Sequence, residues 1–301
     1  MELIILVGIP GSGKSTVARQ YEQKGYKVHS SDAVRRELYG QEENQGKASE
    51  VFALLTQRIR NDLKAGFSCV LDATNLIRKR RIHLVNTFSK YADKKTCLIV
   101  LASPEECLKR NGMRPRKVPE NKIYDMLCSF ETPYYYEGWD DIKAVHGADI
   151  YRFPREEAKK ISQDNPYHTL TLGEHLDTCR DYCRSAGASA RVQEAAWYHD
   201  IGKMYTKRFV NGKGEITETA HYYGHENYGA YLYLCEKACS VNYSDASWED
   251  TLYTANLINW HMRPLTTWQY SPAREKKDRQ FMGKDMFEDL MQLHRADIKA
   301  H

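Results

Sequence analysis

A cluster of glycines followed by a lysine and two hydroxyl residues stands near the start of the chain, in the stretch 3–16, LIILVGIPGSGKST. The glycines would let the backbone curl with its N–H groups turned inward, and a helix starting there would add the positive end of its dipole. The spacing Gly8-x4-Gly13-Lys14-Ser15 is typical of a loop that holds nucleotide phosphates. The sequence therefore predicts a site for ATP, or another NTP, with Mg²⁺.

The same spacing assigns roles to single residues. Lys14 can reach the β- and γ-phosphates, and Ser15 offers a hydroxyl ligand for Mg²⁺. An ordinary turn is the alternative, but an apolar run before the loop and a helical pattern after it are the context that a phosphate loop requires. The loop residues predicted to contact the nucleotide are Gly11, Ser12, Gly13, Lys14, Ser15 and Thr16.

Two carboxylates follow extended, apolar segments further along the chain. Asp32 ends YKVHSSD, where it can accept the proton of an attacking hydroxyl, although aspartate is also favoured as a helix N-cap. Asp72 ends the run CVLD and can orient Ser15 or hold Mg²⁺ through water, although it can also be a simple turn residue. Both carboxylates are therefore candidates for the chemistry at the phosphate loop.

Arginines are concentrated in the segment 110–133, which two prolines interrupt. We expect this segment to be a mobile lid that carries Arg110, Arg114 and Arg116, because phosphoryl transfer needs cations over the equatorial oxygens and arginine supplies a planar fork of donors. The run RKRR at 78–81 is instead interpreted as a solvated helix face.

The elements that would position these residues alternate between strand and helix. Runs suited to strands recur at LIILV, YKVHS, SCVLD, TCLIVLA and, more weakly, KAVH, with helix-length segments between them. This alternation predicts a parallel α/β sheet, and active sites in such sheets gather at the carboxyl ends of the strands. Gly8, Asp32 and Asp72 all fall at such ends.

Nearly all of residues 1–150 resembles the 5′-polynucleotide kinases of the bacteriophage and bacterial RNA-repair type, through GIPGSGKS, SSDAVRREL, VLDATN and RNGMRPRKVPENKIYDMLCSFETP in that order. The resemblance implies a kinase that uses ATP and Mg²⁺. By this resemblance Asp32 is the general base on a 5′-hydroxyl, and Arg35 contacts the acceptor. Lys14 and Ser15 bind ATP and Mg²⁺, and Arg114 and Arg110 contact the phosphates from the lid.

A polar segment bounded by prolines, FPREEAKKISQDNP at 153–166, separates this region from a helical one. The predicted organisation is two domains, an α/β P-loop kinase with a parallel sheet over 1–152 and an all-α domain over 165–301. Eight of the eleven histidines lie in the second region.

The histidines and carboxylates of the second region fall on apolar helix faces. Thr171 and Glu174 have the spacing of a capping box that opens the first of these helices. A lone histidine on such a face is usually a hydrogen-bonded core residue, but several of them with carboxylates are costly to bury unless a metal neutralises them. A divalent transition metal such as Mn²⁺, Ni²⁺ or Co²⁺ suits this donor set. The candidate ligands are His175, His199, Asp200, His225, His261 and Asp297.

Residues 165–301 resemble the HD phosphohydrolase family, and ETAHYYGHE and HMRP are most similar to the HD domain of some bacterial tRNA nucleotidyltransferases. The resemblance implies an all-α HD domain. It assigns the minimal metal ligands to His175, His199, Asp200 and Asp297, the extra ligands of two-metal members to His225 and His261, and a place beside the phosphate to Lys203. His168 and His221 receive no ligand role.

Composition narrows the class of protein. With 42% apolar and 28% charged residues the chain is typical of a globular protein, and residues 1–150 and 151–301 carry net charges of +5 and −1. The N-terminal apolar run is too short to cross a bilayer and lacks a basic flank, so we expect a cytoplasmic protein without a membrane partner. The eight cysteines are expected to be reduced, and the helix-face pairs Cys179/Cys183 and Cys235/Cys239 are interpreted as packing residues.

The two resemblances together predict an enzyme that heals nucleic-acid ends. Its kinase would phosphorylate 5′-hydroxyl ends, and its metal-dependent hydrolase would remove a 2′,3′-cyclic phosphate or a 3′-phosphate. RNA or DNA termini would be the substrate, and an RNA ligase would act downstream as a partner. The alternatives are a nucleoside or metabolite kinase fused to a nucleotide phosphohydrolase, and a nucleotide-dependent regulator without turnover.

Overall fold

The computed structural model describes residues 1–40, 48–147, 151–166, 168–238 and 246–300. The chain divides into two compact units, the first comprising Met1–Ile123 and Pro133–Asp149, the second Tyr124–Thr132 and Ile150–His301. Among the described residues, no helix is both long enough and apolar enough to span a membrane.

The first unit is built from alternating strands and helices. Its elements are β1 (Glu2–Val7), α1 (Lys14–Gln23), β2 (Lys27–Ser30), α2 (Ser31–Tyr39), α3 (Ala48–Lys64), β3 (Cys69–Asp72), α4 (Arg78–Phe88), β4 (Lys94–Leu101), α5 (Pro104–Gly112), the start of α6 (Glu120–Leu127), a short 3-10 helix (Tyr135–Glu137) and β5 (Asp141–His146).

The five strands form one parallel sheet in the order β2-β3-β1-β4-β5, which confirms the predicted α/β class. One face of the sheet packs against α1, where Ile4, Val70 and Leu98 are at most 2% exposed beside Ala18. Burial of β1 on both faces explains why its sequence is a continuous apolar run. The phosphate loop therefore follows directly from a central strand that is buried in the core.

The second unit is mostly helical. Its elements are α7 (Arg155–Ala158), α8 (Leu172–Ser185), α9 (Ala190–Tyr198), α10 (Lys203–Thr206), β6 (Arg208–Val210), β7 (Ile216–His221), α11 (His225–Ala238), α12 (Ala246–Trp260), α13 (Arg263–Thr266), a 3-10 helix (Trp268–Tyr270), α14 (Pro272–Met282) and α15 (Lys284–Lys299). The predicted capping box is confirmed, since Thr171 and Glu174 exchange side-chain and backbone hydrogen bonds at the start of α8.

The expectation of an all-α second domain is wrong in one place. β6 and β7 pair antiparallel as a short hairpin. The turn between them is NGKG, in which Gly214 has a φ of +85°, and strand-forming residues lie on either side. The turn residues and the strand-forming residues beside them therefore produce a hairpin within a mostly helical unit.

The predicted lid also differs from the structure in its second half, because the division into units falls within α6. Phe130 is fully buried and its ring meets Tyr231 edge-on at 5.2 Å. Asn259 donates to the carbonyl oxygen of Phe130 at 3.0 Å and accepts from the Thr132 N–H at 3.3 Å. Residues 124–132 are thus packed as part of the second unit rather than free to move as a lid.

Candidate phosphate-binding site and metal centre

The loop between β1 and α1 has the geometry of a phosphate cradle. Gly11 and Gly13 have φ values of +86° and +106°. A Cβ on Gly11 would lie 2.3 Å from the carbonyl oxygen of Cys107, so a side chain is excluded there. Lys14 begins α1, and its Nζ donates to the carbonyl oxygen of Ile9 at 2.8 Å. The loop therefore has the backbone conformation of a phosphate cradle, with Lys14 at the start of the helix that follows it.

Ser15 and Asp72 face each other beside this loop. The Ser15 Oγ donates to the Asp72 Oδ2 at 3.1 Å, and Asp72, at the end of β3, is 8% exposed. Burial lowers the pKa of Lys14 to about 8, with Asp72 opposing and Arg114 reinforcing the effect. Burial also raises the pKa of Asp72, against the charge of Lys14 and the hydrogen bond from Ser15. The paired oxygen donors suit Mg²⁺.

Asp32 lies in the first turn of α2 and does not cap it. The N-cap is Ser30, whose side chain accepts from the Ala33 N–H. The Asp32 side chain is 52% exposed, and its Oδ1 lies 3.0 Å from an Arg35 guanidinium nitrogen and 3.6 Å from one of Arg116. The carboxylate is thus open to an acceptor and has arginine on two sides. Arg116 at this carboxylate was not assigned from the sequence, because no local pattern distinguishes it from the neighbouring arginines.

The other two arginines of the lid segment differ from each other in their contacts. Arg110 binds Glu106 at 2.8 Å and reaches the carbonyl oxygen of Gly11 at 3.4 Å, so it lies against the phosphate loop. Arg114 is exposed, and its charge contributes to lowering the pKa of Lys14. Both are placed where a bound polyphosphate could be contacted.

The interpretation of the RKRR run as a solvated helix face is wrong. Arg81 is fully buried and makes two bonds to Glu137, at 2.8 and 2.6 Å. Arg78 is 6% exposed and lies 3.8 Å from the same carboxylate. Arg80 is half-buried over the ring of Phe52, and burial lowers its pKa to about 10. A carboxylate 56 residues away in sequence supplies the partner that the local pattern could not reveal.

In the second unit four histidines turn the same nitrogen toward a common centre. The Nδ1 atom of each lies 2.7–3.2 Å from a backbone carbonyl oxygen, which fixes the ring and leaves Nε2 pointing inward. The carbonyl partners are Ala300 for His175, Ala196 for His199, Tyr222 for His225 and Ile258 for His261.

Loops and helix ends, rather than helix faces alone, set these positions. His175 lies within α8 and Asp297 within α15, as predicted. His199 is the C-cap of α9, so it lies at a helix end rather than on a helix face. His261 follows the last residue of α12. Helix ends leave backbone carbonyls free, and these accept from the histidine rings.

Four ligand atoms form one compact set: the Nε2 atoms of His175 and His199, the Oδ2 of Asp200 and the Oδ1 of Asp297. The five measured separations among them are 3.2–3.4 Å. Ligands about 2.0–2.1 Å from a tetrahedral metal lie about 3.3 Å apart. The donor set therefore fits a divalent transition metal.

Asp200 also faces a second set through its other oxygen. Its Oδ1 lies 3.0 Å from the Nε2 of His225 and 3.5 Å from that of His261, and the two imidazole nitrogens are 3.2 Å apart. One carboxylate thus faces two groups of ligands, which is the arrangement of a bridging ligand between two ions.

Burial and the two carboxylates act in opposite directions on the histidines of this cluster. Burial disfavours the charged imidazoles, but Asp200 and Asp297 raise the pKa of His175 and bring that of His199 to about 10. Burial likewise opposes the carboxylates, yet Lys203 and the histidines hold the pKa of Asp200 well below its usual range. The two carboxylates thus favour positive charge on His175 and His199, the kind of charge that a bound metal ion would supply.

Lys203 closes one side of the cluster. Its Nζ lies 2.6 Å from the Asp200 Oδ2, 2.9 Å from the Gln163 Oε1 and 3.3 Å from the His168 Nε2. Gln163 and His168 were not assigned from the sequence, because they lie in and beside the polar linker and carry no helical pattern. His221 instead stacks on Tyr223 at 5.4 Å.

The cysteines are placed as packing residues where the structure describes them. Cys179, Cys183 and Cys235 are buried and without disulfides. Cys239 lies outside the described residues.

A parallel sheet in the order β2-β3-β1-β4-β5, with a phosphate loop after its central strand, defines the first unit as an α/β P-loop kinase-like domain, a fold that implies ATP with Mg²⁺. The family model described as an AAA domain matches residues 3–133. The L-seryl-tRNA(Sec) kinase of Methanococcus maripaludis is 31% identical over 147 residues, which are 46% of this chain and 56% of the kinase.

Two further proteins are similar over part of the chain. Heterogeneous nuclear ribonucleoprotein U-like protein 2 of Homo sapiens is 27% identical over 188 residues, which are 53% of this chain and 24% of that protein. A chain of the solved Pnkp1/Rnl/Hen1 RNA repair complex aligns over 42% of each chain with 25% identity and a TM-score of 0.38. The chain thus spans about half, or less, of the length of the curated relatives it matches.

Proposed function

We propose that the first unit transfers the γ-phosphoryl group of ATP to a 5′-hydroxyl end of a nucleic acid, with RNA as the preferred substrate. The observation that carries this proposal is the exposed Asp32 carboxylate beside Arg35, Arg116 and the phosphate loop. Asp32 accepts the proton of the hydroxyl while that oxygen attacks the γ-phosphorus and ADP leaves. A relative named as a kinase of seryl-tRNA supports an acceptor hydroxyl carried by RNA.

We propose for the second unit a metal-dependent phosphohydrolase of the HD type. The compact set of His175, His199, Asp200 and Asp297 would hold one divalent ion, and His225 and His261 would hold another through Asp200. Such ions supply Lewis-acid chemistry at a phosphoester. Lys203, held by Gln163 and His168, provides an ammonium beside the centre to bind a phosphate oxygen.

The two sites together support RNA end healing. Many ribonucleases leave a 5′-hydroxyl and a 2′,3′-cyclic phosphate or 3′-phosphate, and a ligase needs the opposite arrangement of phosphate and hydroxyl. A kinase and a phosphohydrolase on one chain would convert both termini. An RNA ligase is therefore the expected downstream partner.

One assay tests both halves. The full chain is incubated with γ-labelled ATP, Mg²⁺, Mn²⁺ and matched RNA oligonucleotides that carry a 5′-hydroxyl and either a 3′-hydroxyl or a 2′,3′-cyclic phosphate. A DNA oligonucleotide of the same sequence with 5′- and 3′-hydroxyl ends is assayed beside them. We expect label at the 5′ end of both RNA substrates and loss of the cyclic phosphate, with DNA labelled less.

The alternatives predict other outcomes. ATP consumption that needs no oligonucleotide and labels a nucleoside would favour the nucleoside or metabolite kinase. Tight ATP binding without either conversion would favour the regulator.

A further inference from the structure

A third group of metal-ligating side chains lies in the first unit, away from the phosphate loop. It consists of His29 on β2, Asp62 on α3 and Cys69 on β3, and one ligand atom from each lies within 4.8 Å of the others. In the register of these parallel strands Cys69 pairs with Lys27, and His29 pairs with Leu71. The side chains of His29 and Cys69 therefore share one face of the sheet, toward Asp62.

His29 and Asp62 form a close contact in which the imidazole nitrogen has no well-directed hydrogen bond. The Nε2 of His29 lies 3.0 Å from the Oδ2 of Asp62, yet Nε2 is buried without a hydrogen-bond partner. The histidine side chain is 10% exposed. A buried imidazole nitrogen without a well-directed hydrogen bond, next to a carboxylate oxygen, is an arrangement that suits a cation held between the two atoms.

The group is open to solvent on one side. His29 and Asp62 line a cavity of about 340 Å³ together with Glu22, Tyr26 and Lys27. The side chain of Asp62 is 32% exposed, whereas Cys69 lies fully buried beneath. The cavity gives an ion a path to the ligands and leaves room for a water molecule as a fourth one.

We propose that His29, Asp62 and Cys69 bind a Zn²⁺ ion. One imidazole nitrogen, one carboxylate oxygen and one thiolate sulfur form a donor set that Zn²⁺ accepts, whereas the sulfur disfavours Mg²⁺ and Ca²⁺. The ion ties β2 to α3 and β3. Because β2 runs directly into the helix that carries Asp32, occupancy fixes the strand behind that carboxylate. The site is independent of the function proposed above.

Co²⁺ substitution tests the site by its spectrum rather than by activity. The full chain is used with His199→Ala and Asp200→Ala, which remove the proposed centre of the second unit. We expect one equivalent of Co²⁺ to give a thiolate-to-metal charge-transfer band in the near ultraviolet, and Zn²⁺ to abolish it. Cys69→Ser should remove the band, whereas Cys97→Ser, a matched change of a buried strand cysteine, should keep it.

The results that would overturn the proposal are equally specific. Absence of the band at saturating Co²⁺ in folded protein, or its persistence in Cys69→Ser, would exclude Cys69 as a ligand. Asp62→Asn alters a partly exposed side chain and should leave the protein folded. Because loss of partners around metal ligands already costs about 10–100-fold in affinity, this change should weaken Zn²⁺ binding at least about tenfold in chelator competition. Unchanged affinity would contradict the site.

Discussion

Asp32 combines exposure with two arginine neighbours, and its chemistry can be tested without disturbing the fold. In Asp32→Asn the amide keeps the size of the side chain but cannot take a proton, so phosphorylation of a 5′-hydroxyl should fall by about 10²–10⁴-fold. ATP affinity should stay within about twofold, because Asp32 is not a nucleotide ligand in the proposed site. Labelled-ATP transfer and nucleotide titration measure the two quantities.

A matched control for that substitution lies on the same helix. Glu37 is exposed and pairs with Arg58 at 2.5 Å, so Glu37→Gln changes the charge of α2 without changing the proposed base. Near wild-type transfer by Asp32→Asn at saturating acceptor would exclude Asp32 as the base.

Lys14 predicts a pH dependence of nucleotide binding. Burial lowers the pKa of its ammonium to about 8, and bound phosphates favour the charged form and raise that pKa. Binding must therefore take up a proton above about pH 8, and ATP affinity should fall there by up to about tenfold per pH unit. Calorimetric titration between pH 7 and 9 should show this decline in the wild type. An equally steep decline in Lys14→Met would assign it to another group.

Single-residue chemistry was predictable where the motif itself specifies spacing. The positions of Gly11, Lys14 and Ser15 follow from one local rule. The structure gives Gly11 a positive φ and places the Ser15 hydroxyl against Asp72, while their roles at a nucleotide stay a prediction. The contact of Arg116 with Asp32 and the contact of Gln163 with Lys203 were not predictable, because each joins residues that are far apart in sequence. The pattern of neighbouring residues along the sequence does not reveal contacts of this kind.

At the scale of elements, the buried Arg81 fixes the loop that leads from β3 to α4. Its guanidinium donates to the carbonyl oxygens of Asn75 and Leu76 at 3.1 and 2.7 Å, while Glu137 neutralises it. The Gly8 N–H donates to the carbonyl oxygen of Thr74 in that loop at 3.0 Å. The ion pair therefore connects the residues after Asp72 to the phosphate loop.

Removing the carboxylate of this pair should be costly. Glu137→Gln leaves the Arg81 charge buried without its counter-ion, and such a loss costs about 3–5 kcal/mol in free energy of unfolding. Urea denaturation of the variant should show this loss. The control is Glu120→Gln, at an exposed helix start, whose free energy of unfolding should stay within about 0.5 kcal/mol of the wild-type value. A small effect of Glu137→Gln would mean that the guanidinium is stabilised by its carbonyl acceptors alone.

The helix ends that assemble the histidine cluster predict proton release on metal binding. Asp200 and Asp297 raise the pKa of His175 and His199 against the effect of burial, to about 10 for His199. His199 is then protonated at pH 7 and must lose its proton to bind a metal, so Mn²⁺ affinity should rise with pH. Calorimetry in two buffers of different ionisation enthalpy should show at least about one proton released. Binding without proton release would exclude His199 as a ligand.

The elements themselves were predictable to different degrees. The strands of the sheet and the start of α8 follow from apolar runs and a capping box. The end of α9 at Tyr198 could not be predicted, because the hydrophobic spacing continues through His199. The β6–β7 hairpin could not be predicted either, because its turn sequence NGKG lies within a mostly helical region. Helical periodicity reports which face is buried, but it does not report where a helix ends.

At the scale of the whole molecule, composition and the linker indicated two parts, and the structure divides into two units. The exception is the segment 124–132, which sequence order assigns to the first part. Its backbone bonds to Asn259 and Asn227 and the buried ring of Phe130 place it in the second unit. The segment therefore belongs to the second unit, although the residues on either side of it belong to the first, because its buried contacts are with residues of the second unit.

The proposed activities should be separable by single substitutions, because each rests on ligands of its own unit. Asp200 faces both groups of histidines, so Asp200→Ala should remove the metal and abolish phosphohydrolase activity while 5′ phosphorylation persists. Asp32→Asn should reduce 5′ phosphorylation and leave phosphohydrolase activity unchanged. The control is Asp285→Ala, an exposed carboxylate in the first turn of α15, which should spare both activities.

Metal analysis makes the second half of this prediction quantitative. About two equivalents of Mn²⁺, Ni²⁺ or Co²⁺ per chain in the Cys69→Ser background would support a bridged pair, because that background removes the proposed zinc site. One equivalent would restrict the centre to His175, His199, Asp200 and Asp297, the compact set with separations of 3.2–3.4 Å. Added metal should restore hydrolysis to chelator-treated protein but not to Asp200→Ala. Hydrolysis by metal-free protein would exclude a metal mechanism while leaving the kinase proposal intact.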